Sequence, residues 1–195
     1  HSIYIAYNII QLLSMSPLLL FILTALSILI ALFVSRRLSP IPYFPSNKRD
    51  IKWIVQSLQL SNYQVVYDLG AGDGAVIFSA ANESFIKKLN TQFIAVEINP
   101  VLIGVLHLKR LLHPNKKNIK ILLADIFSIP YTEYGIPNTK TVFFTYISPW
   151  FLERVYQNIK IQINKFKFVS YFYPVPKLKS SRTIKGVHNT YIYNV

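Results

Sequence analysis

The chain has 195 residues, 52% of them hydrophobic, enough for one domain with a sizeable core and an appendage. It has no cysteine, which excludes disulfides and cysteine-held metal, and its four histidines show no metal-ligand spacing. The formal net charge of +13 arises from 21 Lys and Arg against 8 Asp and Glu, which fits an anionic partner (nucleic acid, anionic lipid or an acidic protein face) or simply a solvated basic surface.

All of the basic residues lie at or beyond Arg36. Residues 3–34 contain no Asp, Glu, Lys or Arg, and the most apolar part, 15–34, would span about 30 Å as a helix, one hydrocarbon thickness. It has no polar face, and Pro17 stands near its start, where a helix tolerates proline. We therefore expect a transmembrane helix. No basic region precedes it and no small-residue cleavage site follows, which disfavours a cleaved signal peptide. Arg36 and Arg37 come next, so the positive-inside rule places the following domain on the cytoplasmic, or organellar matrix, side. The first residue is His1 rather than Met, and we expect sequence upstream of it.

Residues 1–37 thus read as an anchor, 38–46 as a stiff linker carrying Pro40, Pro42 and Pro45, and 47–195 as one domain. In 47–60, Ile51, Ile54, Val55 and Leu58 mark the apolar face of a helix, with Lys48, Arg49 and Lys52 facing solvent or headgroups. Val65, Val66 and Tyr67 suit a buried strand, and 75–81 a helix packed on a sheet. Strands follow at 93–96, 119–123, 141–146 and 167–172, with helices at 100–112 and 151–163. Segments 182–187 and 191–195 read as an antiparallel pair around Asn189. Alternating strands and helices predict an α/β, doubly wound sheet ending in that pair.

Between the first strand and its helix stands Asp68-Leu69-Gly70-Ala71-Gly72-Asp73-Gly74, a turn in which a ligand can approach bare backbone. A dinucleotide fingerprint would place its third glycine at 75, which is Ala75. Asp68, Glu97 and Asp125 each close a predicted strand, three of only 8 acids, at the edge where open α/β sheets bind ligands. Glu97 is placed to accept two ribose hydroxyls, Asp125 an adenine amino group, and Asp68 to hold the turn or meet a cationic ligand end. The alternative is a ligand-free turn with solvated loop carboxylates.

Residues 68–74 resemble motif I of the class I S-adenosylmethionine-dependent methyltransferases, residues 93–100 motif II and 122–126 motif III, with Thr145-Tyr146-Ile147-Ser148-Pro149-Trp150 at the motif IV position. The resemblance implies a Rossmann-like methyltransferase sheet that binds S-adenosylmethionine through Asp68, Gly70, Ala71, Gly72, Glu97 and Asp125. An apolar N-terminal helix followed by Pro42-Tyr43-Phe44-Pro45-Ser46 narrows the resemblance. It points to the small membrane-anchored protein-lysine N-methyltransferases, typified by the mitochondrial enzymes acting on the ATP synthase c-subunit and the adenine nucleotide carrier, with prokaryotic relatives. Motif IV lacks the Asn/Asp-Pro-Pro-Tyr of enzymes that methylate base amino groups, which argues against a nucleic-acid substrate.

The family's chemistry aligns an amine with an electrophilic methyl, and a desolvated slot favours the neutral lysine. Tyr43 and Tyr146 are candidates to line that slot, or else pack as ordinary core aromatics. No general base stands out and no metal is expected. The implied partners are the bilayer and a lysine on a membrane protein. A methyltransferase acting on a quinone or phospholipid headgroup, and a degenerate cofactor-binding membrane scaffold, remain open on these residues.

Overall fold

The computed structural model describes residues 17–35, 42–134 and 140–195. Strand β1 (Gln64–Leu69) lies at the centre, with all of its residues buried, as a strand covered on both faces must be. It pairs in parallel with β2 (Thr91–Glu97) on one side and β4 (Lys140–Thr145) on the other. Strand β3 (Ile119–Leu123) continues beyond β2, and β5 (Lys167–Tyr171) beyond β4. Strand β7 (Asn189–Asn194) then runs antiparallel to β5, and β6 (Arg182–Lys185) closes the edge. The described residues form a seven-stranded sheet of order β3-β2-β1-β4-β5-β7-β6. The order reverses between β1 and β4, and the carboxyl ends of strands at such a switch point open a crevice.

Helices α2 (Ile51–Leu58), α3 (Ala75–Ile86) and α4 (Pro100–Leu112) cover one face of the sheet. The single turn α5 (Tyr131–Tyr134) and helix α6 (Pro149–Gln162) cover the other. The two-residue period of β1 distributes the cores: Val66 packs under the first layer, while Val65, Tyr67 and Leu69 pack under the second. Tyr67 stacks on Phe143 at 4.8 Å and meets Tyr131 edge-on at 5.8 Å, which fixes the second layer.

Helix α4 and strand β3 occupy the expected ranges. Helix α2 begins at Ile51, since Asn47 to Asp50 form a turn, and α3 runs on to Ile86. Strand β4 stops at Thr145, so Tyr146 sits just past the strand end. Proline at the first turn starts α6 at Pro149, two residues early. In the final pair Asn189 opens β7 rather than occupying the turn, which is Gly186 to His188.

Helix α1 (Pro17–Val34) has no buried residue and is long and apolar enough to cross a membrane. Its polar side chains are satisfied internally: the Thr24 and Ser27 hydroxyls donate to the carbonyls of Leu20 and Leu23, each at 2.8 Å. Met15 of the expected span, Arg36, Arg37 and Pro40 lie outside the described residues. The last turn of α1 meets the domain. Asn99 Nδ2 donates to the Phe33 carbonyl at 3.1 Å, and the Phe33 ring meets Tyr43 edge-on at 6.2 Å.

Buried Asp50, just before α2, ties the helix layer to the β6–β7 turn. Its carboxylate accepts from Tyr171 Oη at 2.7 Å and from the N–H groups of Val187 and His188 at 2.7 and 2.8 Å. Burial pushes this carboxyl up, but the hydrogen bonds from Tyr171, His188 and Val187 outweigh it and hold Asp50 below its ordinary value.

Candidate functional site

The turn between β1 and α3 places Gly70, Gly72 and Gly74 at φ of +77°, +58° and +79°, a region that side chains disfavour. At Gly72 and Gly74 space excludes them as well. A Cβ on Gly72 would lie 2.6 Å from the Tyr43 ring, and one on Gly74 2.5 Å from Phe78. The turn keeps few free donors. Gly70 and Ala71 both donate to the Val96 carbonyl, at 2.9 and 3.0 Å, and Gly72 donates to Glu97 Oε2 at 2.8 Å. Its contribution to a ligand is therefore the exposed backbone of Gly70 more than a nest of N–H groups.

Glu97, at the carboxyl end of β2, is buried and organises its surroundings. Besides Gly72, it accepts from the N–H groups of Ile98 and Asn99, both at 2.9 Å through Oε1. A carboxylate offers about four acceptor sites, so one remains for a ligand, not the two that a pair of ribose hydroxyls would each take. Asp125 follows β3 and is half-buried; Oδ1 accepts the Phe127 N–H at 2.9 Å, which turns the chain beneath it. Asp68, at the end of β1, is buried, and among the described residues its Oδ2 has no hydrogen-bond partner. Burial pushes the Asp68 carboxyl up to about 8, and the nearby Glu97 carboxylate adds to the shift. The Ile77 N–H hydrogen-bonds the carboxyl and opposes the rise, so a single oxygen is left without a partner, which suits a site completed by a cationic or donor group.

Tyr43 lies across the turn. Its hydroxyl hydrogen-bonds Asp73, and burial followed by the Asp73 charge pushes it up to about 12. Asp73 is held in turn by Lys109 Nζ at 2.8 Å. Burial lets that carboxyl rise, but Lys109, the Ala75 N–H and Tyr43 bring it below its ordinary value. Tyr146 packs edge-on against Tyr171 at 5.0 Å, and burial, then Tyr173, raises its hydroxyl.

These groups surround two adjoining cavities. The larger, about 580 Å³, is lined by Tyr43, Gly70, Gly72, Glu97, Asp125 and Tyr146, among others. The smaller, about 310 Å³, is lined by Asp68, Ala71 and Asp73, and shares Tyr43, Gly70, Gly72 and Tyr146 with the first. The structure thus brings every residue singled out from the sequence to one place. Sequence reasoning missed Phe44 and Ile147, which also line the larger cavity, and Asn99. Asn99-Pro100 carried a legible signal as a helix start, and Asn99 Oδ1 indeed accepts from Val101 and Leu102 N–H. The bond from its amide to Phe33 left no such trace.

No protein-family model matches the chain. It is similar to a protein-lysine N-methyltransferase of Saccharolobus islandicus, 36% identical over 59 residues, which cover 30% of this chain and 34% of that protein. It is also similar to the ATP synthase c-subunit lysine N-methyltransferase of Xenopus laevis, 25% identical over 94 residues, 48% of this chain and 38% of that one. The matched stretches span little more than a third of each relative. Among solved structures, an RNA methyltransferase of Salinibacter ruber in complex with S-adenosylhomocysteine superimposes with a TM-score of 0.65 at 18% identity, covering 77% of this chain and 93% of that one. An S-adenosylmethionine-dependent O-methyltransferase of Thermotoga maritima gives 0.54 at 11% identity, covering 78% and 66%. The fold is the Rossmann-like methyltransferase sheet.

Proposed function

We propose that the chain is an S-adenosylmethionine-dependent protein-lysine N-methyltransferase, held to a membrane by α1 and acting on a lysine of a membrane protein. The observation that carries this reading is the convergence of the glycine turn, Glu97 and Asp125 on one cleft at the switch point of the sheet. The lysine relatives from an archaeon and a frog support the acceptor class, and the second is named for the c-subunit of ATP synthase.

The residues present fit the cofactor. Gly70 leaves backbone surface open, Glu97 retains one acceptor site for a ribose hydroxyl, and Asp125 borders the same cavity. The orphaned Asp68 oxygen suits the cationic methionine end. When bound, the cofactor supplies an electrophilic methyl group on sulfur. The protein's own part is alignment and desolvation. Tyr43 and Tyr146 bound both cavities, and both hydroxyls stay protonated at neutral pH, so they position an amine rather than remove its proton. A slot walled by such rings favours the neutral form of an entering lysine, which then loses its proton to water before attack.

The test is transfer of tritiated methyl from the cofactor into membranes of a strain lacking the protein. Label in a protein band, recovered as methyl-lysine, supports the reading. Label in a lipid spot replaces it with the lipid alternative, and no label from a cofactor-bound protein leaves a scaffold.

A further inference from the structure

The edge of the sheet that holds the cleft also carries large apolar side chains in the open. Phe44, beside the cleft, is 63% exposed; Leu123, the last residue of β3, is 62% exposed; and Trp150, in the first turn of α6, is 83% exposed. They stand on three separate segments: Leu123 and Trp150 at the carboxyl ends of β3 and β4, and Phe44 beside Tyr43, which lies over the glycine turn. The loop following β5 adds exposed Lys177 and Lys179 on either side of Leu178. The last turn of α1 arrives at this same edge, where Phe33 is bonded to Asn99, two residues after Glu97.

We propose that this edge lies on the surface of the bilayer that α1 enters, with Trp150, Phe44 and Leu123 seated among the headgroups around the mouth of the cleft. The proposal rests on the membrane-spanning reading of α1. Continuity with that helix selects lipid over a protein partner as the occupant. The short bond from Asn99 to Phe33 leaves the edge no room to stand away from the point where the helix emerges. Aromatic side chains favour the interfacial zone, and lysines beside them are drawn to anionic headgroups. The consequence for function is that the acceptor lysine enters from the plane of the membrane, at headgroup depth, and not from open solvent.

The chain has two tryptophans, Trp53 and Trp150, so Trp53→Phe leaves Trp150 as the reporter. The full chain is placed in vesicles of phosphatidylcholine and phosphatidylglycerol. A second protein, Leu26→Trp in a Trp53→Phe, Trp150→Phe background, reports on α1. The expected result is that Trp150 emission shifts to the blue, loses intensity to lipids brominated near the headgroups, and is protected from aqueous acrylamide. If the Leu26 reporter is quenched by deeply brominated lipid while Trp150 stays open to acrylamide, the anchor stands and the interfacial seat is overturned. Protection of Trp150 from both quenchers means that protein covers it, which also overturns the proposal. If neither reporter meets lipid, the reading of α1 falls and takes the proposal with it.

Discussion

Glu97 holds Gly72: the carboxylate at the end of β2 accepts the N–H in the middle of the glycine turn at 2.8 Å. The acid expected to bind a ribose therefore also holds the glycine turn in place. Glu97→Ala removes the acceptor for three backbone donors, so we expect it to cost about 2–3 kcal/mol of stability in addition to weakening cofactor binding by a similar amount. Urea unfolding and calorimetry with S-adenosylmethionine check the two effects. Loss of affinity with unchanged stability means that the turn does not depend on Glu97.

Asp68 keeps its proton in the folded chain up to about pH 8, whereas an unfolded Asp releases it near its ordinary value of about 4. Between those limits the folded state binds the extra proton, so the stability contributed by Asp68 is complete below the window and lost as pH rises through it. Asn carries no such charge. We expect Asp68→Asn to gain on the wild type by about 1–3 kcal/mol as pH is raised across the window, the scale of an unsatisfied buried polar group. Thermal melts at the two ends of the range measure it. A pH-independent difference means that the carboxyl is already ionised at neutral pH.

Asp50 behaves in the opposite sense. Its carboxyl is held low, so its contribution is present above the ordinary carboxylate range and disappears as pH falls below it. Asp50→Ala leaves Tyr171 and two backbone donors without their acceptor, for an expected loss of about 2–4 kcal/mol at neutral pH that shrinks in acid. Hydrogen exchange should show the β6–β7 pair opening first. Exchange that accelerates uniformly across the sheet argues against a local clamp.

Removal of residues 1–34 takes away the carbonyl that Asn99 meets and the ring that touches Tyr43, but none of the acids or glycines. Asn99 Oδ1 still caps α4. We expect cofactor binding to survive, weakened by no more than about 1 kcal/mol, the net worth of one hydrogen bond. Under the proposed function, methyl transfer to an acceptor in intact membranes should fall sharply, because α1 would no longer hold enzyme and acceptor in one plane. Calorimetry and label incorporation separate the two. Loss of cofactor binding means that α1 is part of the domain rather than an attachment to it.

The sequence by itself determined the order of strands and helices past α1, the single turn Tyr131–Tyr134 excepted, together with the glycine turn and the three strand-end acids. Each of these is written in local terms. Strands buried on both faces appear as apolar runs such as Val65 to Tyr67, Asn99-Pro100 starts a helix wherever it stands, and positive φ requires glycine at Gly70 and Gly72. The tertiary structure decided what these residues do to one another. Asp50 gave no local signal, since its three partners come from Tyr171 and a turn more than 120 residues away. Asp68 and Glu97 looked equivalent as strand-end acids, yet one is left short of a partner and the other has three N–H groups, because only the packing of β1 against β2 sets which backbone donors each can reach. Trp150, Leu123 and Phe44 are scattered in the chain and unremarkable singly. Leu123 and Trp150 reach the same edge because parallel strands deliver their carboxyl ends together, and Phe44 reaches it because Tyr43 lies over the glycine turn.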